Sequence, residues 1–443
     1  MITIILKHKK DESLKRFHPW VFSGAIDRMI DEDGTDVQPE EGDWVEVVSK
    51  NGDFLGIGQY QIGSIAVRIF TFKDDEFGDD FFLQRLQAAY DLRKSLGLIR
   101  PLSKPETWNL LSQNISFADK PETCLGTPNN AYRLVHGEGD GLPGLIIDVY
   151  DGTAVMQAHT QGIHYIREAL AEDLIRVAGA DIRNVYYKSE TTLSYKTEAR
   201  QNAEDGVNGY LIIDGKKVED RAEGKALEAS ISDVAIENGL KFHVDWLKGQ
   251  KTGFFVDQRE NRALVEKFAK GRKVLNMFCY TGGFSFYAMR GGAVLVHSVD
   301  VSQQAINFTN NNVKLNFPDD PRHEAFCEDA FHYLDRMGDQ YDLIILDPPA
   351  FAKHKKVLHN ALQGYRRLNA KAFEKIQSGG ILFTFSCSQV VTKDDFRCAV
   401  FSAAAQSGRR VRILHQLHQP ADHPINIYHP EGEYLKGLVL YVE

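Results

Sequence analysis

No run of about 18 apolar residues occurs in the 443-residue chain, so nothing in it reads as a membrane-spanning helix. Cysteine is scarce. There are five, an odd number without CxxC spacing, which argues for reduced thiols in a cytoplasm. No cysteine–histidine cluster has zinc spacing, so no metal is expected. The opening "MITIILKHKK" places its basic residues after a short apolar run, the reverse of a secretory signal. A dinucleotide fingerprint is missing too. After the strand-like "KVLNMF" the loop reads Phe278-Cys279-Tyr280-Thr281-Gly282-Gly283, without the G-x-G-x-x-G that a pyrophosphate needs, which disfavours a nicotinamide oxidoreductase.

What is present is a globular composition. Hydrophobic residues make up 43% and charged residues 26%, enough for an ample core. At roughly 150 residues per domain the length suggests about three domains. The formal charge of −9 argues against a nucleic-acid partner only bluntly, because local basic patches decide steering. Such patches occur at Lys7–Lys10, Lys15-Arg16, Lys353–Lys356, Arg366-Arg367 and Arg409-Arg410, each of which also reads as a plain solvated face.

Residues 1–73 alternate short apolar runs ("ITIIL", "WVEVV", "FLGIGQY", "SIAVRIFTF") with turn residues, as a small β-barrel or sandwich does. Helical spacing follows in Asp79–Leu98, then a polar loop around Trp108–Thr127. From Tyr132, "YRLVHGEGDGLPGLIIDVY" predicts a hairpin, and "IHYIREALAEDLIRVAG" an amphipathic helix. "NVYYKS", "GYLIID" and "KFHVDW" read as short strands, with a surface excursion at 196–208. We divide this into a domain over 1–73, a helical linker and α+β middle domain over 74–245, and a third domain over 246–443. In the third, strands ("KVLNMF", "AVLVHSVD", "HEAFCED", "YDLIILD", "GILFTFSCS") alternate with helical segments, and "VRILHQLH" and "GLVLYVE" finish the chain. That alternation predicts an α/β fold with a largely parallel, Rossmann-like sheet covered on both faces.

Ligands of such sheets bind outside the carboxyl ends of the strands. The first strand ends in "NMFCYTGGFSF", where Gly282 and Gly283 permit a tight turn before a helix with open N–H groups. The second ends at Asp300, placed to grip ribose hydroxyls. The third ends at Glu328-Asp329, where a carboxylate can accept from an adenine amine. The fourth ends in Asp347-Pro348-Pro349-Ala350-Phe351 and the fifth in Ser386-Cys387-Ser388. S-adenosylmethionine carries no pyrophosphate and tolerates this looser glycine loop.

These segments resemble a known family. "LDPPAF" is similar to the fourth motif of base-modifying methyltransferases. Together with "GQKTGFFVDQRENR" (Gly249–Arg262), "NMFCYTGGFS", "YRLVHGEGDGLPGLIIDVY" and the PUA-like "RFHPWVFSGAI" (Arg16–Ile26), it resembles the RlmI-type large-subunit ribosomal RNA cytosine-5 methyltransferases. Phe17 stands where that family's PUA segment carries glycine. The resemblance covers nearly the whole chain. It implies a PUA domain, a middle domain and a class I methyltransferase domain. It also implies S-adenosylmethionine as cofactor and ribosomal RNA (23S or a large-subunit precursor) as partner, with no membrane and with a homodimer as an expected assembly. The implied cofactor contacts are Phe278, Tyr280, Thr281, Gly282, Asp300, Asp329, Asp347 and Gln258. The implied substrate contacts are Pro348, Pro349, Phe351, Lys251 and Arg259, with Phe254 a second stacking candidate.

Cytosine carbon-5 is a poor nucleophile, and a thiolate added at carbon-6 turns the ring into an enamine. Cys387 is the expected nucleophile, with Asp347 steadying the adduct. The alternative for Cys387 is a small buried core residue. Cys279, in the cofactor loop, is the rival thiol, and Cys124, Cys327 and Cys398 read as structural. Asp257 is also a plausible helix cap. Two other functions stay open at this stage. One is guanine or uracil methylation in RNA, of which the guanine reaction needs no thiol. The other is a non-catalytic RNA-binding assembly factor.

Overall fold

The computed structural model describes residues 1–99, 129–193, 208–218, 231–352 and 354–443. The polar segment around Trp108–Thr127, Cys124, the excursion at 196–207 and Lys353 lie outside the described residues. The chain divides into two compact units. One comprises Met1–Gly239, Val244–Val256 and Ala421–Gly432; the other Leu240–His243, Asp257–Pro420 and Glu433–Glu443.

The first unit holds two six-stranded sheets. β1 (Ile2–Leu6), β2 (Trp20–Phe22), β3 (Ile26–Ile30), β4 (Trp44–Val48), β5 (Phe54–Tyr60) and β6 (Ile65–Thr71) run in the order β2-β6-β5-β4-β1-β3. Alternate apolar residues (Ile4, Leu6, Val45, Val47, Val67, Ile69) turn inward and are almost fully buried, the period-two pattern of a one-sided strand. Phe17 has φ of +63°, the left-handed backbone that favours glycine, at the position where the resemblance implies one. Its ring lies 5.4 Å from Phe72 and 5.2 Å from Tyr428.

The second sheet contains β7 (Ala131–His136), β8 (Leu145–Tyr150), β9 (Thr153–Ala158), β10 (Asn184–Tyr187), β11 (Gly209–Ile213) and β12 (Lys216–Lys217) in the order β12-β11-β10-β9-β8-β7. The expected hairpin is β7–β8, paired antiparallel from Ala131↔Tyr150 to His136↔Ile146. The expected amphipathic helix is broken into Gln161–Tyr165 and Arg167–Ala178. Arg93, on the helix Phe81–Ser95, is fully buried. Its guanidinium grips the Asp140 carboxylate at 2.8 Å and donates to the carbonyls of Arg133 and Asp422, so the buried charge is fully engaged.

The second unit is built on a seven-stranded sheet. β15 (Lys273–Met277), β16 (Leu295–Asp300), β17 (His323–Cys327), β18 (Leu343–Leu346), β19 (Gly380–Ser386), β20 (Val411–Leu417) and β21 (Lys436–Val442) take the order β17-β16-β15-β18-β19-β21-β20. Two short strands, β13 (Val234–Glu237) and β14 (Leu240–His243), precede it in the chain. β15 to β19 pair with one another in parallel; β21 runs antiparallel to both β19 and β20. β18 reads Leu-Ile-Ile-Leu with every residue buried, as a strand covered on both faces must. Helices intervene at Arg259–Phe268, Gly283–Arg290, Gln303–Asn316, Ala330–Arg336, Leu358–Lys375 and Lys393–Ser407. Phe373, Phe383, Phe385 and Phe396 are fully buried among them, each worth about 1.5–3 kcal/mol of apolar burial. The chain order reverses direction between β15 and β18, and a ligand crevice forms at the carboxyl ends beside such a switch point.

Candidate active site

Register carries the predicted residues to one edge of the sheet. Met277 pairs with Val299 and with Leu346, Asp300 with Cys327, and Leu346 with Thr384. Asp300 is therefore the last residue of its strand, and Phe278, Glu328-Asp329, Asp347 and Cys387 directly follow the carboxyl ends of theirs.

The loop after β15 is shaped by left-handed residues: Phe278 (φ +58°), Tyr280 (+48°) and Gly282 (+86°). A Cβ on Gly282 would stand 2.5 Å from Phe286 Cζ and 2.9 Å from Thr309 Cγ2, so only glycine fits there. The Gln303–Asn316 helix pins the loop. Thr309 Oγ1 donates to the Tyr280 carbonyl at 2.9 Å, and Asn312 Nδ2 to the Thr281 carbonyl at 3.2 Å. Asp300 closes it from the other side, accepting from Tyr280 N at 3.0 Å and Ser302 N at 2.9 Å. Each of its carboxylate oxygens accepts one of these two bonds. Phe278 is half-buried against the sheet's core. Asp329 caps the Ala330–Arg336 helix through Oδ1, which accepts from Phe331 N and His332 N. The neighbouring Glu328 is tied to Arg336 at 2.9 Å.

Asp347 accepts a hydrogen bond from Gln258 Nε2 at 3.1 Å, and Gln258 in turn accepts from Asn261 Nδ2 at 2.6 Å. Gln258 is thus a buried support of the carboxylate. Asp257 is not the helix cap; that position falls to Gln258, without a side-chain cap bond, while Asp257 accepts from the Tyr434 hydroxyl at 2.6 Å.

Cys387, partly exposed and in no disulfide, follows the last residue of β19. Its two serines hold the turn. Ser386 Oγ donates to the Tyr365 hydroxyl at 2.9 Å. Ser388 Oγ donates to the Ala352 carbonyl at 2.6 Å, tying the cysteine turn to the Asp347–Ala352 loop. Tyr365 is the hub beneath both. Its ring lies 4.6 Å from Phe351, and burial, with Cys387 and Asp347 nearby, pushes its hydroxyl up to about 12. Cys279, the rival thiol, is buried, and burial pushes it far above the range of a reactive cysteine. Cys327 and Cys398 are exposed rather than packed.

The expected substrate contacts separate. Pro349 is exposed and Pro348 buried at the edge. Phe351 packs on Tyr365 and against Gly364, an anchor for its loop. Arg259 is 2% exposed and so presents no surface to a phosphate. Lys251 belongs to the first unit, exposed, with its ammonium 4.7 Å over the Phe255 ring, and Phe254 is buried there. Among the basic patches, Lys7, Lys9, Lys10, Lys355, Lys356 and Arg367 are exposed. Arg409 instead donates to the carbonyls of Glu443, Phe373 and Ile376, a structural role. Sequence reasoning did not single out Tyr365, the Gln258–Asp347 bond or the Ser388–Ala352 tie. Only the placement of serines on both sides of Cys387 hinted at the last.

In the first unit, His18, His429 and Glu431 bring ligand-type atoms within 4.8 Å of one another. His18 there accepts from Trp20 N at 3.3 Å and reaches Glu431 at 3.3 Å, which already engages both its ring nitrogens.

The chain is similar to known proteins over its whole length. Residues 206–430 match the family of S-adenosylmethionine-dependent methyltransferases, and residues 4–72 a PUA-like domain. The ribosomal RNA large subunit methyltransferase I of Tolumonas auensis is 37% identical over 99% of this chain and 98% of its own. That of Shewanella denitrificans is 37% identical over 100% and 99%. Among solved structures, a methyltransferase of Streptococcus mutans shares the fold at 22% identity (TM-score 0.74), covering 100% of both chains. A methyltransferase complexed with SAH does so at 21% and 0.75, again over 100% of both. The chain belongs to the ribosomal RNA large subunit methyltransferase I family, whose catalytic fold is that of S-adenosylmethionine-dependent methyltransferases.

Proposed function

We propose that this protein methylates carbon-5 of a cytosine in large-subunit ribosomal RNA through a transient bond between Cys387 and the base. The observation that carries this reading is the pairing of two loops at one sheet edge: Cys387 after β19 and Asp347 after β18, bound together by Ser388 and the Ala352 carbonyl.

The cofactor loop fits S-adenosylmethionine. Asp300 keeps lone pairs for ribose hydroxyls, Asp329 Oδ2 is open to an adenine amine, and the Gly283 end of its helix faces the turn without a side-chain cap. Phe278, Tyr280, Thr281 and Gly282 form the wall of that turn. When bound, S-adenosylmethionine supplies the electrophilic methyl group that activated carbon-5 takes up, and leaves as S-adenosylhomocysteine.

The chain's own residues do the rest. The Cys387 thiolate forms a bond to carbon-6, and the ring's electron pair is displaced toward carbon-5. Asp347, oriented by Gln258, accepts from the exocyclic amine and, once the ring nitrogen has taken up a proton from solvent as charge develops on it, from that N–H as well, which stabilises the adduct. After methylation, water takes the carbon-5 proton, the freed electron pair restores the double bond, and Cys387 leaves as a thiolate. The base must leave its stack to enter the site, with Phe351 and Pro349 at its border. In this reading residues 1–73 and the exposed Lys355, Lys356 and Arg367 hold the RNA by phosphate contacts, which position without specifying sequence. The homodimer has no support in the comparisons and is not proposed.

The test incubates wild-type protein and Cys387→Ser with large-subunit ribosomal RNA and isotopically labelled S-adenosylmethionine, then analyses nucleosides by mass spectrometry. Labelled 5-methylcytosine from the wild type alone is expected. Label in guanine or uracil, or full activity of the serine variant, overturns the reading.

A further inference from the structure

Lys436 opens β21 in register with Ser386, beside Cys387, and it is 5% exposed. Its ammonium donates to the Ser388 carbonyl at 2.7 Å and the Val391 carbonyl at 2.6 Å, so it lies inside the turn that carries the cysteine. A buried ammonium is costly unless its charge is compensated, and two neutral carbonyls compensate only part of it. The carboxylates around it are committed elsewhere. Glu433 pairs with Lys393, and Asp395 accepts from Thr392 Oγ1 at 2.7 Å in a capping box. Among the described groups whose charge would favour this ammonium, the Cys387 sulfur as a thiolate acts most strongly, ahead of Glu433 and Asp395.

We propose that Lys436 is the positioning residue of the cysteine turn, fixing its shape through the two carbonyls and holding Cys387 as a thiolate through its charge. The proposal rests on the reading of Cys387 as nucleophile. Among the described groups beside the sulfur, the Tyr365 hydroxyl is held neutral by burial and brings no positive charge. Burial pulls Lys436 down to about 8, and the attraction of Cys387 opposes that pull. Lys436 is therefore mostly charged at neutral pH and loses its proton just above it. The thiolate it favours forms below the ordinary cysteine range of about 8.5.

The experiment measures the pH dependence of iodoacetamide alkylation of the Cys387 peptide by mass spectrometry, in the full chain, for wild type, Lys436→Met and Lys436→Arg. Wild type is expected to titrate below the exposed Cys327 and Cys398 of the same molecule. Lys436→Met is expected to raise the midpoint by about one pH unit, an approximately tenfold slower alkylation at pH 7, with Lys436→Arg close to wild type. A Cys387 midpoint in wild type equal to that of Cys327 and Cys398 overturns the proposal without any variant having to fold. So does an unchanged midpoint in a Lys436→Met protein that still binds S-adenosylhomocysteine. Activity surviving in Cys387→Ser instead overturns the nucleophile assignment, whatever the alkylation profile.

Discussion

Ser388→Ala isolates the link between the two loops of the site. Ser388 is 1% exposed and its hydroxyl donates at 2.6 Å to the carbonyl of Ala352, itself 2% exposed. Removing the hydroxyl leaves that buried acceptor without its donor, a loss of about 1–3 kcal/mol. For a unit of 150–250 residues each kcal/mol moves Tm by about 2–4 °C, so a fall of about 2–12 °C is expected. The chemistry should suffer more than the fold. The bond holds the turn bearing Cys387 against the loop bearing Asp347, and a displacement near 1 Å between reacting groups costs up to about a hundredfold in rate. Single-turnover methyl transfer is thus expected to slow at least about tenfold. Binding of S-adenosylhomocysteine should stay within about threefold, because the Phe278–Gly283 loop is held by Thr309, Asn312 and Asp300 rather than by Ser388. A variant with a lowered Tm and an unchanged rate would refute the claim that this bond aligns the site.

Asp347→Asn keeps an oxygen that can accept from Gln258 but removes the charge, so single-turnover transfer is expected to fall about 10²–10³-fold in a folded protein, as measured with ribosomal RNA. Gly282→Ala forces φ of +86° on a residue with a Cβ, about 1–2 kcal/mol, and drives that atom to 2.5 Å from Phe286; calorimetry with S-adenosylhomocysteine should show affinity reduced about tenfold or more. His323 accounts for an acid-sensitive part of the stability. Burial, then the charge of His297, lowers its pKa to about 4, against about 6.5 in an unfolded chain. Between those values the unfolded state binds the extra proton, so this stabilisation is complete above pH 6.5 and shrinks as pH falls toward 4. Urea midpoints at pH 7 and pH 5 should therefore converge in His323→Gln relative to wild type.

Much of this architecture was legible because strand ends carry chemistry in consecutive order. "SVD", "CED", "LDPP" and "SCS" each close an apolar run, and each falls at the carboxyl edge of the sheet. The β7–β8 hairpin was legible from its glycines and proline. What escaped reading depends on contacts distant in sequence. Nothing local to "EYLKG" says that β21 inserts antiparallel between β19 and β20, and that insertion is what brings Lys436 to Cys387. Tyr365 lies in a helix whose sequence reads as basic and surface-like, yet its ring is fully buried beneath both loops. Arg259 is the opposite case: a charged residue in a polar run, expected at the substrate, that is nearly without exposed surface. The helix Lys393–Ser407 was not singled out, because its alanine-rich run carries only a weak apolar stripe.

The proposed methyl transfer passes through a sulfur–carbon bond, and trapping that bond is its most direct test. Ribosomal RNA containing 5-fluorocytidine has no carbon-5 proton to lose, so the adduct cannot resolve. Incubated with the protein and S-adenosylmethionine, it should give a complex stable to denaturation, with the nucleotide mass on the peptide bearing Cys387. A nucleotide mass on Cys279, or its absence from every peptide while the unmodified RNA is methylated normally, would contradict the account.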